Sequence, residues 1–160
     1  REPKAAVGLM DVISLPKIKI NLRTVLDNHG RIQFVELKST EAKWKLVRVE
    51  NKVVVKGGKT QLNLHDGTNL ISDKKVKTGD VLQLSLPNMK IKKILEFKEG
   101  AQTLITGGAH VGSIAKIKEI EITRSTKPNL VMYDDFQTIK PYSFVIGEKK
   151  AMITLPEVKV

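Results

Sequence analysis

A cluster of basic side chains between positions 43 and 59 is the part of this sequence best suited to bind another molecule. Its members are Lys43, Lys45, Arg48, Lys52, Lys56 and Lys59, and Glu50 is the only acidic residue between them. Two shorter clusters follow, namely Lys74, Lys75 and Lys77, and then Lys90, Lys92 and Lys93. Each phosphate that such side chains neutralise releases counterions, which predicts affinity for a polyanion with a steep salt dependence. The alternative is that the cluster is a solvated outer face of a barrel.

The distribution of charge along the chain supports the first interpretation. The 160 residues hold 28 Lys and Arg against 17 Asp and Glu, for a formal charge of +11. Residues 1–95 contain 19 basic and 9 acidic side chains, whereas residues 96–147 contain 6 of each. A field of this sign attracts nucleic acid or an anionic membrane surface. The first part of the chain is therefore predicted to make the main polyanion contact.

Trp44 and two glycine pairs are further candidates within the predicted contact. The Trp44 ring could stack on an unpaired base, but a single Trp in a short amphipathic turn more often packs on the core. Gly57-Gly58 and Gly107-Gly108 could present backbone amides to phosphate oxygens, or they could simply form turns. Neither pair continues into the Gly-Lys-Ser/Thr sequence of a P-loop.

The histidines offer a weaker, catalytic alternative. His65, Asp66 and His110 would be the ligands of a metal-dependent hydrolase, but they lack a metal-binding spacing and come from separate predicted modules. We therefore interpret the histidines as polar turn residues and predict no enzyme activity and no cofactor. The absence of cysteine excludes disulfides, thiolate zinc sites and cysteine nucleophiles, and it fits a reducing compartment. No apolar stretch approaches the roughly 20 residues that span a bilayer.

The elements that must position these side chains are predicted to be short strands ended by tight turns. Residues 60–64 and 81–86 alternate polar and apolar side chains with period two, as strands do. Glycine-containing turns are predicted at residues 28–30, 57–59, 65–67 and 78–80. Only residues 39–44 are predicted to be helical, for one or two turns. This pattern is typical of an all-β protein built from small barrels.

The chain divides into two predicted β-modules. We predict a central basic β-domain over residues 13–95, an SH3-like barrel over residues 96–147 and a tail over residues 148–160. By strict alternation, the apolar side chains at 115 and 117 lie on one face of a strand, and those at 120 and 122 lie on the other. A β-bulge near Lys118 would return them to the same face. The module boundary is predicted near residues 95–97, because the charge changes there.

Residues 98–124 resemble a KOW motif. They alternate polar and apolar side chains around the glycine-rich turn 107–112, with Gly112 just before the next strand. That motif occurs in ribosomal proteins and in transcription elongation factors, where it forms part of an SH3-like barrel. A KOW-containing elongation or termination factor is therefore the alternative function for this chain.

The rest of the chain resembles the S4e family of small-subunit ribosomal proteins of archaea and eukaryotes. The segments that carry this resemblance are VGLMDVI at 7–13, EAKWKL at 41–46, GGK at 57–59 leading to LHDG at 64–67, and FVIG at 144–147. The family implies an N-terminal RNA-binding module, a central β-domain and a C-terminal KOW domain. Residues 1–12 are then expected to be a remnant that follows a missing N-terminal module.

The resemblance implies a structural constituent of the small ribosomal subunit that binds ribosomal RNA during translation. The expected partners are small-subunit ribosomal RNA and neighbouring ribosomal proteins. The chain is expected to be cytoplasmic, to have no membrane contact and to be a monomer outside the ribosome. The residues predicted to contact RNA are Lys43, Trp44, Lys45, Arg48, Lys52, Lys56, Gly57, Gly58, Lys59, Lys74, Lys75, Lys77, Lys90, Lys92, Lys93, Gly107, Gly108 and His110.

Overall fold

Short β-strands make up most of the regular structure. The computed structural model describes residues 4–155, which contain two 3₁₀ turns, Glu41–Lys43 and Lys140–Tyr142. The strands are β1 (Val12–Leu15), β2 (Ile20–Leu26), β3 (Ile32–Glu36), β4 (Trp44–Val54), β5 (Thr60–Leu64), β6 (Asn69–Ile71), β7 (Val81–Ser85), β8 (Ile91–Leu95), β9 (Gln102–Ile105), β10 (Ile114–Lys116), β11 (Glu119–Glu121), β12 (Leu130–Met132), β13 (Gln137–Ile139) and β14 (Ser143–Gly147). The predicted all-β fold is confirmed, and the helix predicted near residues 39–44 is a single 3₁₀ turn.

The strands form four antiparallel sheets. Their strand orders are β1-β2-β3, β6-β5-β4-β7-β8, β10-β9-β14 and β11-β12-β13. The glycine turns predicted at residues 28–30, 57–59 and 65–67 join β2 to β3, β4 to β5 and β5 to β6. These turns are where the sequence signal is strongest, because a positive φ is easy for glycine and unfavourable for most other residues.

The long strand β4 organises the five-stranded sheet. Its first half pairs with β7, from Trp44 to Arg48, and its second half pairs with β5. The register shifts between Val49 and Asn51, so Glu50 is a β-bulge. Because the extra residue reverses the alternation, the face that carries Arg48 before the bulge carries Asn51 after it.

Two hydrophobic clusters lie on opposite faces of this sheet. Leu46 and Leu95 belong to the first cluster, together with Leu104 and Phe144 of the C-terminal strands. The second cluster covers the other face, and its buried members are Val47, Val49, Leu62, Leu64, Val76, Leu82 and Leu84. The first cluster therefore crosses the boundary predicted near residues 95–97. The domain limits 13–95 and 96–147 stay a prediction, but their strands share a core.

The bulge predicted near Lys118 is wrong. Strand β10 ends at Lys116 in one sheet, and β11 begins at Glu119 in another. Ile117 is buried between them and exchanges backbone hydrogen bonds with Ala101 and Gly100. The alternation of apolar side chains changes here because the chain passes from one sheet to another. Ile117 and Ile120 therefore both pack on the first cluster, although strict alternation would put them on opposite faces.

Both ends of the described chain pack onto the fold. Met10, from the predicted remnant 1–12, is buried in the first cluster, and its N–H donates to the Thr24 carbonyl. In the predicted tail, Ile153 is buried in the same cluster and the Thr154 hydroxyl donates to the Glu41 carboxylate at 3.0 Å. Residues 1–3 and 156–160 of these two predicted segments lie outside the described residues.

Candidate nucleic-acid interface

The structure separates the predicted basic residues into exposed and internal groups. The ten exposed members are Lys43, Lys52, Lys56, Lys59, Lys74, Lys75, Lys77, Lys90, Lys92 and Lys93. Lys45 and Arg48 are only partly exposed and are engaged within the chain. A phosphate must compete with these internal partners for Lys45 and Arg48. The exposed lysines are therefore the better candidates for phosphate contacts.

Lys45 forms an internal ion pair. Its Nζ lies 2.6 Å from Asp66 Oδ2 and 3.3 Å from Asp11 Oδ1, and the Lys45 and Asp66 side chains are only 12% and 10% exposed. Burial acts to raise the pKa of Asp66, but hydrogen bonds from Lys45 and Thr68 outweigh it and lower that pKa to about 2. Lys45 therefore holds the segment before β1 against the β5–β6 turn, and its ammonium is not free for a phosphate.

Arg48 connects the five-stranded sheet to the C-terminal strands. Its Nη2 lies 2.6 Å from Glu50 Oε1, and its Nη1 donates to the carbonyl of Pro141 at 2.5 Å. The guanidinium carbon lies 5.9 Å from the centre of the Phe144 ring. Because these contacts engage the guanidinium, Arg48 stabilises the packing of β4 on β14 and does not offer a free charge.

Trp44 packs on the core, as the second of its two sequence interpretations expected. The guanidinium of Arg23 lies 4.5 Å from the centre of the Trp44 ring. Arg23 is fully buried, and its Nη2 donates to the carbonyls of Glu41 and Trp44. Burial lowers the pKa of Arg23 to about 10, although the Glu41 carboxylate opposes this shift. Sequence reasoning missed Arg23, because nothing in the local pattern marks it as the partner of a Trp 21 residues later.

Most of the exposed lysines lie on turns and loops around β4, whereas Lys52 lies in β4 itself and Lys92 and Lys93 lie in β8. Lys56 and Lys59 flank the β4–β5 tip, and Lys74 and Lys75 lie on a loop that leaves β6 next to this tip, where the Ser72 N–H donates to the Thr60 carbonyl. At the other end, the Leu86 N–H donates to the Lys43 carbonyl, which brings Lys43 close to the β7–β8 turn and Lys90. The predicted cluster 43–59 is thus divided, because an 11-residue strand extends for roughly 35 Å.

Among the described residues, no side chain or backbone packs against the two glycines of the β4–β5 tip. Gly57 and Gly58 have φ values of +83° and +72°, and no other part of the chain lies within 4 Å of the positions their Cβ atoms would occupy. Lys52 is less free than the tip lysines, since its Nζ donates to the Val76 carbonyl at 2.7 Å. Lys93 is paired with Glu148 at 3.2 Å on the surface. The tip therefore presents the least obstructed charges.

The C-terminal candidates lie apart from these loops. A Cβ on Gly107 would lie 2.8 Å from the Tyr142 ring, so Gly107 serves close packing. The exposed ring of His110 stacks on Phe136, with 4.3 Å between centroids. Gly108 has a φ of +82° and is exposed at the same turn. This turn forms a separate surface that offers backbone groups, the His110 ring and the partly exposed Tyr142 ring.

The metal-site alternative finds no support in the geometry of the described residues. His65 Nδ1 accepts the Arg48 N–H at 3.1 Å, and its Nε2 lies 3.2 Å from the Leu9 carbonyl, so both ring nitrogens are engaged. Burial, the largest effect, lowers the pKa of His65 and favours the neutral ring. Within residues 4–155, no three His, Asp or Glu side chains converge as metal ligands would. Within the same residues, no helix has the length and apolar character to cross a membrane.

A cleft of about 190 Å³ opens beside the Glu50 bulge, and no pattern in the sequence predicts it. Its polar lining includes Arg48, Glu50, Thr78, Asn129 and Lys140. Lys140 Nζ donates to the Thr78 carbonyl at 2.7 Å and lies 5.3 Å from the centre of the Phe97 ring. Burial lowers the pKa of Lys140, against a smaller opposing effect of Asp80. Both cations of the cleft are thus engaged by the chain itself.

Known proteins match this chain over most of its length. The model of the family described as "Ribosomal family S4e" matches residues 18–91. A small ribosomal subunit protein eS4 of Methanosphaera stadtmanae is 46% identical over 153 residues, which are 93% of this chain and 64% of the relative. Its counterpart in Thermoplasma volcanium is 40% identical over 162 residues, covering 100% of this chain and 68% of the relative. The chain belongs to the ribosomal protein S4e family.

A solved structure agrees with this assignment to the S4e family. The crystal structure of the 30S ribosomal protein S4e from Thermoplasma acidophilum superimposes with a TM-score of 0.82 at 38% identity, covering 92% of this chain and 76% of that chain. The predicted family resemblance is confirmed. This S4e chain spans about 64% of the length of the Methanosphaera relative. The KOW assignment of residues 96–147 and the missing N-terminal module stay predictions.

Proposed function

We propose that this S4e chain is a non-enzymatic structural constituent of the small ribosomal subunit that binds ribosomal RNA electrostatically during translation. The observation that carries the proposal is the set of exposed lysines on β4, on β8 and on the loops around them. Within residues 4–155, no carboxylate lies within 4 Å of the ammonium groups of Lys43, Lys52, Lys56, Lys59, Lys74, Lys75, Lys77, Lys90 and Lys92. Charges that are held on paired strands and on the loops between them, and that are left unneutralised, attract a phosphate backbone.

The proposed contact surface is narrower than the one predicted from the sequence. Lys45, Arg48 and Trp44 are assigned to the fold, because each is engaged by other parts of the chain. The tip residues Lys56 and Lys59, with Gly57 and Gly58 between them, are assigned the leading role. The turn with Gly107, Gly108 and His110 is proposed as a secondary contact with RNA or with a neighbouring ribosomal protein.

The partners follow from what the relatives are called. Each of the relatives described above is named a small ribosomal subunit protein. We accordingly propose small-subunit ribosomal RNA and neighbouring ribosomal proteins as partners, cytoplasmic ribosomes as the location and a monomer as the free state. Phosphate contacts of this kind fix position and orientation and carry little sequence information.

Salt-dependent binding to small-subunit ribosomal RNA tests the proposal. If about four to six phosphates are contacted, the slope of log K against log salt is about −3 to −5. Replacing Lys56, Lys59, Lys74 and Lys75 with Gln is expected to reduce the size of that slope by about 3. The matched control replaces the same number of exposed lysines on the C-terminal strands and loops, namely Lys98, Lys116, Lys118 and Lys127, and is expected to change the slope far less. A flat salt response, or equal losses in both variants, would contradict the proposal.

A further inference from the structure

The outer face of strands β4, β5 and β6 carries an unusual set of uncharged side chains. The cross-strand register aligns Asn51 with Asn63 and Asn69 in one row, and aligns Val53 with Gln61 and Ile71 in the next. Residues directly opposite each other on paired strands share a face of the sheet. We call these six residues the amide face.

Strand stability alone does not explain the composition of the amide face. Asn is depleted in strands, and yet three Asn side chains stand side by side here. Gln61 Nε2 donates to Asn63 Oδ1 at 3.1 Å, whereas within the described residues Asn51 and Asn69 make no side-chain hydrogen bond. The apolar members are also open to solvent, since Val53 is 48% and Ile71 57% exposed. Amide groups and aliphatic side chains thus remain available to a partner.

The fold explains why the chain itself does not cover the amide face. The Glu50 bulge places Asn51 and Val53 on the same side of the sheet as Leu46, which the C-terminal strands cover. The C-terminal strands cover the Leu46 end of β4 but leave Val53 exposed. Lys52 points to the opposite side, where it pairs with Leu62 of the second cluster and donates to the Val76 carbonyl.

The charges around the amide face indicate the chemistry of its partner. Its two rows contain no carboxylate and no ammonium group, while the adjoining tip carries Lys56 and Lys59. A row across three strands extends for roughly 10 Å. A sheet face of this width is too broad for the deep, narrow major groove of A-form RNA but can lie on its wide, shallow minor groove.

We propose that the amide face binds the minor groove of a double-stranded segment of RNA, an inference that rests on the proposed function. Each Asn and Gln side chain can both donate and accept hydrogen bonds, as the 2′-hydroxyls and base edges exposed in that groove require. Val53 and Ile71 contact the ribose edges, and Lys56 and Lys59 bind the flanking phosphates. The lysines attract RNA and DNA alike, whereas the amides discriminate for RNA because only RNA has the 2′-hydroxyl.

The variant Asn51→Val with Asn69→Val tests this inference. Valine favours strands and removes the hydrogen-bonding groups without adding charge. Affinity for a duplex from small-subunit ribosomal RNA is expected to fall about tenfold through the loss of two amide contacts. Affinity for a DNA duplex of matching sequence is expected to change less than twofold, and the salt slope for RNA is expected to stay the same, because the lysines are intact. The control makes the same kind of change at two exposed amides elsewhere, Gln33→Val with Gln137→Val.

The possible outcomes separate this inference from the proposed function. Unchanged RNA affinity in the Asn variant overturns the inference alone, and so does an equal loss on RNA and DNA. A loss of binding to ribosomal proteins with RNA affinity intact also overturns it, since the amide face would then be a protein contact. If the wild-type chain binds RNA without salt dependence, or not at all, both proposals fail. Thermal unfolding of each variant verifies that it is folded.

Discussion

Replacing Lys45 with Met removes the ammonium group that lies between the carboxylates of Asp66 and Asp11. Breaking a fully buried ion pair costs about 3–5 kcal/mol, because the remaining charge is left without a partner. Here the Lys45 and Asp66 side chains keep 12% and 10% of their exposure, so we expect a loss of about 2–3 kcal/mol. In a domain of this size, 1 kcal/mol corresponds to about 2–4 °C in Tm. The expected fall in Tm is therefore about 4–12 °C.

The pH dependence gives the Lys45 prediction a second, independent readout. The pKa of Asp66 is about 2 in the folded chain against 3.8 for the ordinary group, so its ionised form stabilises the fold above about pH 4. This contribution is lost as the pH falls from about 4 to about 2. After a discount for solvent screening it amounts to about 1–2 kcal/mol. The stability difference between wild type and Lys45→Met is expected to narrow over that interval.

Urea unfolding at pH 7, 4 and 2.5 measures both effects of the Lys45 substitution. Lys43→Met is the matched control, because Lys43 is exposed two residues away and has no carboxylate partner among the described residues. RNA affinity of the folded Lys45→Met variant is expected to stay within about twofold of wild type, apart from the small effect of net charge. Equal stabilities of the two variants would refute the ion-pair reasoning. A loss of RNA affinity as large as that of the tip lysines would show that Lys45 contacts phosphate after all.

Two further substitutions test the packing that holds the interface in place. Gly112→Ala would put a Cβ 1.9 Å from the Asp27 carbonyl oxygen, at a φ of +83°, and is expected to destabilise the chain by about 3 kcal/mol or more in urea unfolding. The same change at either glycine of the open β4–β5 tip is expected to cost less, and equal costs would argue against the close packing at Gly112. Tyr133→Phe removes a buried hydroxyl that lies 2.9 Å from both Thr103 Oγ1 and Ser143 Oγ, with an expected loss of about 1–3 kcal/mol. A Tm unchanged by this substitution would show that the two remaining hydroxyls satisfy each other.

Local patterns in the sequence were sufficient to place strands β5 and β7 and the glycine turns that join β2 to β3, β4 to β5 and β5 to β6. Residues 60–64 alternate with period two, and residues 57–59 contain a glycine pair, so β5 and the preceding tip were predicted at their observed positions. Such signals depend on neighbouring residues alone, because side-chain alternation and positive φ are properties of short segments. The alternation between residues 115 and 122 does not distinguish a bulge from a corner between two sheets, because both move the apolar side chains from one strand face to the other.

The sequence by itself determined the all-β class, the basic character of the first part of the chain and its membership in the S4e family. Only the tertiary structure decided which of the cations are free. Lys45 pairs with a carboxylate 21 residues later and another 34 residues earlier, and Arg48 donates to a carbonyl 93 residues away. The alignment of Asn51, Asn63 and Asn69 likewise exists only once the strand register is set. The physical reason is that charge is fixed by residue type, whereas its availability depends on contacts between residues far apart in the chain.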